Sequence, residues 1–218
     1  TLYTQPALYV VNALSYFAYL EDTAAKADYA VGHSLGEYNA LLAAQAFDFG
    51  TGLKLVRKRA ELMSRAQEGG MSAVIGLTEE QIQTVFQSLN IDTVDIANFN
   101  SQTQIVISGP PEDLDKVDPA CKAQGATPVV RLNVSGACHS RYMRPAGLQF
   151  SRFLDGFTFA PLKFSVIANS TAQPYLDQEI PLRLAEQIYS PVRWVQTILS
   201  LLNTQNPQFK ELGPEGVL

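Results

Sequence analysis

The first long apolar stretch, from Pro6 to Leu20, contains no charged residue. A proline in the first turn and the lack of charge predict a buried helix there. A short apolar strand is predicted over residues 28–32, followed at once by a helix to about residue 45. Asp48 to Gly52, with two glycines, reads as a break. Leu53 to Gln67 then carries Leu55, Arg59, Leu62 and Met63 at helical spacing and stops at Gly69-Gly70. From Met71 the period shortens. Strands are predicted at 71–77, 94–99, 104–108 and 128–134, with helices from Thr78 and over 110–124. Thr78 with Gln81 three residues on is a capping-box signature. The order β-α-β-β-α-β is ferredoxin-like, in an insert spanning 71–134. Beyond it come a helix over 140–153, a strand over 164–169, helices over 182–189 and 191–202, and a last strand over 208–212. Strands alternating with helices outside the insert predict an α/β fold with a mostly parallel sheet.

Composition narrows the function classes. The 218 residues are 46% hydrophobic and 17% charged, enough for one large or two small domains with a real core. Net charge is −5, and no basic cluster stands out, which argues against nucleic acid as a partner. No apolar run is long enough to span a bilayer, and the first residues do not form a signal peptide, so no membrane role is expected. The two cysteines, Cys121 and Cys138, lack metal-ligand spacing. A reduced, cytoplasmic protein without a metal is the expectation. The chain starts on Thr1 and ends in a loop at Gly213 to Leu218, which suggests a fragment or an excised domain.

The densest chemistry sits at Gly32-His33-Ser34-Leu35-Gly36, between the predicted strand and helix. A strand that turns at once into a helix crowds its apex, and glycines at 32 and 36 would relieve that crowding. Ser34 is then held out at the sheet end above the helix N-terminus, as a nucleophile would be. The Leu35 N–H points the same way and can stabilise an oxyanion. The alternative is a structural turn. Serine needs a base, and histidine suits neutral pH. His33 is adjacent, but neighbouring side chains diverge at an elbow. His139 therefore becomes the candidate base, although alone it reads as a surface or capping histidine. Its orienting partner is not evident: Asp155, Asp177 or a backbone carbonyl could serve.

Several further motifs appear in a familiar order. They are Gln5-Pro6-Ala7, the elbow with Glu37-Tyr38, Arg59 to Met63, Asn98-Phe99-Asn100, Ser135 to Ser140, Gln187 to Trp194 and Glu211 to Pro214. With these the chain resembles the malonyl-CoA:acyl carrier protein acyltransferases over nearly its whole length. Asn39 and the Ser140 to Met143 stretch resemble most the trans-acting acyltransferases of modular polyketide synthases. The resemblance implies a hydrolase-like core formed by residues 1–70 and 135–218, with the ferredoxin-like subdomain inserted between. It implies Ser34 as the acylated nucleophile, His139 as its base, Leu35 as half of the oxyanion hole, and Gln187 as the donor of the orienting carbonyl. Arg59 would clamp the malonyl carboxylate, a role that suits a permanently charged guanidinium. Without the family, Arg59 reads as a solvated arginine beside Arg57 and Lys58. Met63, His33, Asn98 and Cys138 are expected to line the substrate pocket. No cofactor is implied, and the partners are malonyl-CoA and an acyl carrier protein.

Two departures stand out. The family's Gly-Gln-Gly-Ser-Gln segment, source of the second oxyanion N–H, does not occur between residues 1 and 218. The expectation is a fragment lacking that segment, or else an inactive form. Cys138 stands where the family carries phenylalanine for malonyl and serine for methylmalonyl substrates, while Leu35 points to malonyl. Malonyl selectivity, with some relaxation, is expected. Three readings follow: acyl transfer through Ser34, hydrolysis of acyl groups from carrier proteins, or a non-enzymatic carrier-binding scaffold. A cleft between insert and core should hold Ser34 on one wall and His139 near the crossing strand, and Arg141, Arg144 and Arg152, by their proximity to His139, are the candidates for a basic patch that meets the carrier protein.

Overall fold

The computed structural model describes residues 2–23, 26–66, 69–134 and 136–214. Gln67 at the end of one predicted helix, Ser135 and residues 215–218 lie outside the described residues. The first half of the core is α1 (Thr4–Asp22), β1 (Tyr29–Ala30), α2 (Gly36–Ala43) and α3 (Phe49–Arg65). Then come β2 (Gly70–Ile75), α4 (Glu79–Ser88), β3 (Asp95–Phe99), β4 (Gln104–Gly109), α5 (Pro111–Ala123) and β5 (Val129–Arg131). The chain returns to the core through α6 (Arg144–Leu154), β6 (Ser165–Val166), α7 (Ile180–Gln187) and α8 (Trp194–Leu202).

Four strands form one antiparallel sheet in the order β3-β4-β2-β5. Strand alternation sorts its residues between two faces. Val74, Ile105 and Ile107 face α4 and α5 and build a core with Ile82, Phe86, Leu114 and Val117. Met71, Ala97 and Val106 lie on the other face, where Cys138 packs against them. The capping box is present: Thr78 accepts from the Gln81 N–H, and Gln81 caps the Thr78 N–H in return. A bulge in β3 between Ile96 and Asn98 coincides with a bridge to Val192. There the Phe99 N–H donates to the Val192 carbonyl at 2.9 Å, and the Val192 N–H to that of Ala97 at 2.9 Å. These two bonds tie the four-stranded sheet to the segment before α8.

Outside residues 71–134 the described sheet is the parallel pair β1–β6, with Tyr29 opposite Ser165 and Ala30 opposite Val166. It is parallel as expected, but shorter. The predicted strand at 208–212 is not formed, because no described strand runs beside it to complete a ladder. α3 corrects another expectation. The stretch 48–52 is a helix start, not a break: the Asp48 carboxylate accepts the Thr51 N–H as N-cap. Gly52 is there for contact rather than for a turn, since a Cβ would sit 2.0 Å from the Tyr9 hydroxyl. α1 is less buried than its composition suggested. Tyr9 and Ala13 are enclosed by α2 and α3, while Leu8, Val11, Leu14, Phe17 and Leu20 are exposed.

Candidate active site

The turn from β1 to α2 sets the geometry. Ser34 has φ +49°, the left-handed region that a serine rarely enters. A Cβ on Gly32 would lie 2.0 Å from the Gly36 carbonyl carbon, so residue 32 must be glycine. Gly36 differs from expectation: a Cβ there would meet nothing within 4 Å, so it contributes its backbone, not its missing side chain. Asn169, just beyond β6, clamps the strained turn. Its Oδ1 accepts the Ser34 N–H at 2.6 Å and its Nδ2 donates to the Gly32 carbonyl at 2.8 Å. Such backbone strain costs about 1–3 kcal/mol and persists only where neighbours fix it. Among the described residues the Leu35 N–H has no hydrogen-bond partner.

The strained elbow presents the Ser34 hydroxyl to His139, with Oγ 2.8 Å from Nε2. His139 Nδ1 lies 2.9 Å from the main-chain carbonyl of Gln187. A carbonyl can only accept, so Nδ1 carries the proton and Nε2 is left basic toward Ser34. Gln187 is the last residue of α7, where carbonyls lack helical partners and carry partial negative charge. A helix end thus stands where another site would use a carboxylate. Asp177 is engaged elsewhere, accepting the Leu162 N–H at 3.0 Å, and Asp155 is exposed. His139 is 5% exposed. Burial, reinforced by the positive charge of Arg59, pushes its pKa down to about 3. The ring is therefore neutral at physiological pH. In a labelled-histidine NMR titration, the His139 signal, assigned by its loss in His139→Asn, should keep its neutral-ring shift from pH 7 down to pH 5. A midpoint near 6.5 contradicts this.

Arg59 is not a solvated helix arginine: it is 1% exposed. Its Nη2 donates to Ser34 Oγ at 3.0 Å and to Gln187 Oε1 at 2.9 Å, and its Nη1 donates to Gln5 Oε1. The guanidinium lies 5.7 Å from the Tyr38 ring centre, and its Nε is buried without a hydrogen-bond partner among the described residues. Arg59 takes part in none of the ion pairs between described residues. A buried cation held by neutral groups is costly, and an incoming anion would repay that cost. One helical turn on, Met63 is also buried, and its Sδ lies 3.7 Å from Gln5 Nε2.

The other predicted site residues divide. Cys138 is half-buried beside His139, and burial raises its thiol pKa, so it stays protonated and is a poor nucleophile. His33 points to the β3–β4 turn, where Nε2 lies 2.9 Å from Asn100 Oδ1, and its ring packs edge-on against Trp194. Burial lowers its pKa. Asn98 is buried in β3 at the bulge, and no hydrogen bond joins its side chain to the Ser34–Arg59 cluster. A cleft of 330 Å³ opens beside His139, lined by Asp95, Ile96, Arg141, Arg144, Tyr189 and Pro191 among others. It lies between the four-stranded sheet and the core, as expected, but Ser34 is not among its lining residues. Arg141 is paired with Asp95 across it, so its charge is largely spent there. No group of three potential metal ligands occurs among the described residues, and none of their helices is long and apolar enough to cross a membrane.

Sequence reasoning did not find Glu37, Asn169, Tyr175 or the role of Gln5. Glu37 sits fully buried behind the elbow. Its carboxylate accepts from the Tyr175 hydroxyl, the Asn169 N–H and Gln187 Nε2. Burial pushes its pKa up to about 7, against the pull of those three donors and of Arg59. A glutamate in the first turn of α2, directly before the largely apolar Tyr38 to Ala43, was the available signal.

All of residues 1–218 match the family model described as acyl transferase domain. The chain belongs to that acyltransferase family. It is 49% identical over 219 residues to a polyketide biosynthesis malonyl CoA-acyl carrier protein transacylase of Bacillus subtilis (strain 168), covering 100% of this chain and 76% of that protein. A longer polyketide biosynthesis protein of the same strain is also 49% identical, and there the chain spans only 29% of its relative's length. Among solved structures, malonyl CoA-acyl carrier protein transacylase from Burkholderia pseudomallei superposes with a TM-score of 0.94 at 45% identity, covering 98% of this chain and 75% of that one.

Proposed function

We propose that this acyltransferase moves a malonyl group from malonyl-CoA, through an ester on Ser34, to the phosphopantetheine thiol of an acyl carrier protein in polyketide synthesis. The observation that carries this reading is Arg59, buried without an ion-pair partner and 3.0 Å from the Ser34 hydroxyl. A free carboxylate on the acyl group supplies the missing anion. The names of the relatives point the same way. His139 Nε2 takes the Ser34 proton as Oγ attacks the thioester carbonyl, and the Leu35 N–H faces the oxyanion. CoA leaves as the thiol, taking the proton back from His139. In the second half the carrier thiol gives its proton to His139, its sulfur attacks the ester, and Ser34 regains its hydroxyl. The malonyl carboxylate also offsets the charge of Arg59, which relieves part of the pressure that keeps His139 so weakly basic.

No cofactor is needed for these steps. Met63 and Cys138 flank the acyl group, and His33 and Asn98 stand farther out toward the sheet. We read residues 71–134 as a ferredoxin-like subdomain inserted into a hydrolase-like core, supported by the antiparallel strand order β3-β4-β2-β5. Two cysteines without a disulfide and a CoA thioester substrate suit the cytoplasm.

Hydrolysis of acyl groups would use the same ester with water as acceptor. The two are separated by supplying labelled malonyl-CoA and carrier protein to the full-length enzyme. Malonyl-carrier is expected as the main product, with free malonate minor; malonate as the main product in the presence of carrier would assign the hydrolase instead.

A further inference from the structure

Resting on the malonyl-transfer reading, we infer that Glu37 is a positioning residue that fixes the side-chain amide of Gln187 and, through it, holds Arg59 for a carboxylated acyl group. The amide of Gln187 is fully used. Nε2 donates to the Ser34 carbonyl at 2.7 Å and to Glu37 Oε2 at 2.5 Å, and Oε1 accepts from Arg59 Nη2 at 2.9 Å. An amide has two orientations that differ only by exchanging O and N. Glu37, whose oxygens already accept from three donors, acts with the Ser34 carbonyl to demand the Nε2 side, as the Arg59 guanidinium, which only donates, demands the Oε1 side. The other oxygen of Glu37 is anchored independently, accepting the Tyr175 hydroxyl at 2.5 Å and the Asn169 N–H at 3.2 Å.

The substitution Glu37→Gln keeps the shape and breaks the logic. The Asn169 N–H can only donate, so the new amide must place its oxygen there. Its NH₂ then faces Gln187 Nε2, donor against donor. Flipping the Gln187 amide repairs that contact and creates two worse ones: Nε2 against Arg59 Nη2, and Oε1 against the Ser34 carbonyl. If the Gln187 amide keeps its orientation, the donor-donor repulsion pushes it off Glu37 and loosens the Oε1 that Arg59 holds; if it flips, Arg59 faces a donor in place of its acceptor. The backbone carbonyl of Gln187 still holds His139, so the effect is directed at Arg59 and the acyl carboxylate.

The test compares malonyl with acetyl transfer by the full-length enzyme. Glu37→Gln should lower the malonyl-to-acetyl ratio of kcat/KM roughly tenfold, the scale of one hydrogen bond to a charged group. Tyr175→Phe removes one of the two donors to Glu37 Oε1 but leaves the Asn169 N–H and the Gln187 contact in place, so its ratio should shift less than that of Glu37→Gln. In an Arg59→Ala background the effect of Glu37→Gln on the ratio should vanish. Glu37→Asp, a carboxylate one methylene short of Gln187, should move the ratio the same way by about threefold, and it carries the test if Glu37→Gln does not fold. The inference is overturned if neither variant shifts the ratio, if Tyr175→Phe shifts it equally, or if the shift survives in Arg59→Ala. Wild-type enzyme that fails to transfer malonyl would instead overturn the function on which the inference rests.

Discussion

Arg59→Ala should cut malonyl transfer roughly a hundredfold while leaving acetyl transfer unchanged or faster. The size follows from the loss of a charge-assisted, two-pronged contact in a dry site, which commonly costs a few kcal/mol. The selectivity follows from geometry. Arg59 reaches the Ser34 hydroxyl and Gln187 through Nη2 and Gln5 through Nη1, but no described carboxylate pairs with it. An acetyl group has nothing to offer such a cation. Removing Arg59 also removes one of the forces that depress the His139 pKa, burial being the largest. A more basic His139 favours removal of the Ser34 proton, which is why acetyl transfer could rise. Arg59→Met fills more of the vacated space and separates lost charge from lost packing; it should show the same selectivity. Equal losses for both acyl groups, in both variants, would remove Arg59 from the carboxylate role.

Ser34→Ala should abolish transfer to carrier, with a loss of at least about a thousandfold, because no other nucleophile stands in the cluster. Cys138 is the nearest alternative by sequence. Burial keeps its thiol protonated, and His139 directs Nε2 to Ser34 rather than to its neighbour. His139→Ala should fall to a similar level, since serine loses its base. The double variant should be little worse than either single one, because the two residues act as a unit. Additive losses would mean that they act separately, contrary to the 2.8 Å contact between them.

The parts of this site that are local in sequence were legible in it. The elbow is written in five residues, and its strand, turn and helix are where the pattern puts them. The Thr78–Gln81 box opens α4 for the same reason: both partners lie within one turn. His139 and Arg59 could be named from chemistry and family resemblance. Their burial and contacts could not, because they depend on Gln187, which lies 128 residues from Arg59 and 48 from His139. Glu37 was missed for that reason. Its three donors come from residues 169, 175 and 187, and a glutamate near a helix start ordinarily faces water. The glycines misled in two places. Gly50 and Gly52 read as a break although Asp48 caps a helix through them, and Gly36 reads as a crowded position although only Gly32 is crowded. The final predicted strand had the right composition and no neighbour to pair with among the described residues, and β-structure depends on the neighbour.

The claim on which everything else depends is that malonyl passes through an ester on Ser34. Full-length enzyme, mixed with malonyl-CoA and no carrier, quenched in acid and digested, can be read directly by mass spectrometry. The prediction is a single malonyl group on the peptide containing Ser34, discharged on adding carrier protein and absent from Ser34→Ala. A malonyl adduct on another residue that carrier discharges, or carrier loading by Ser34→Ala at the wild-type rate, would contradict it.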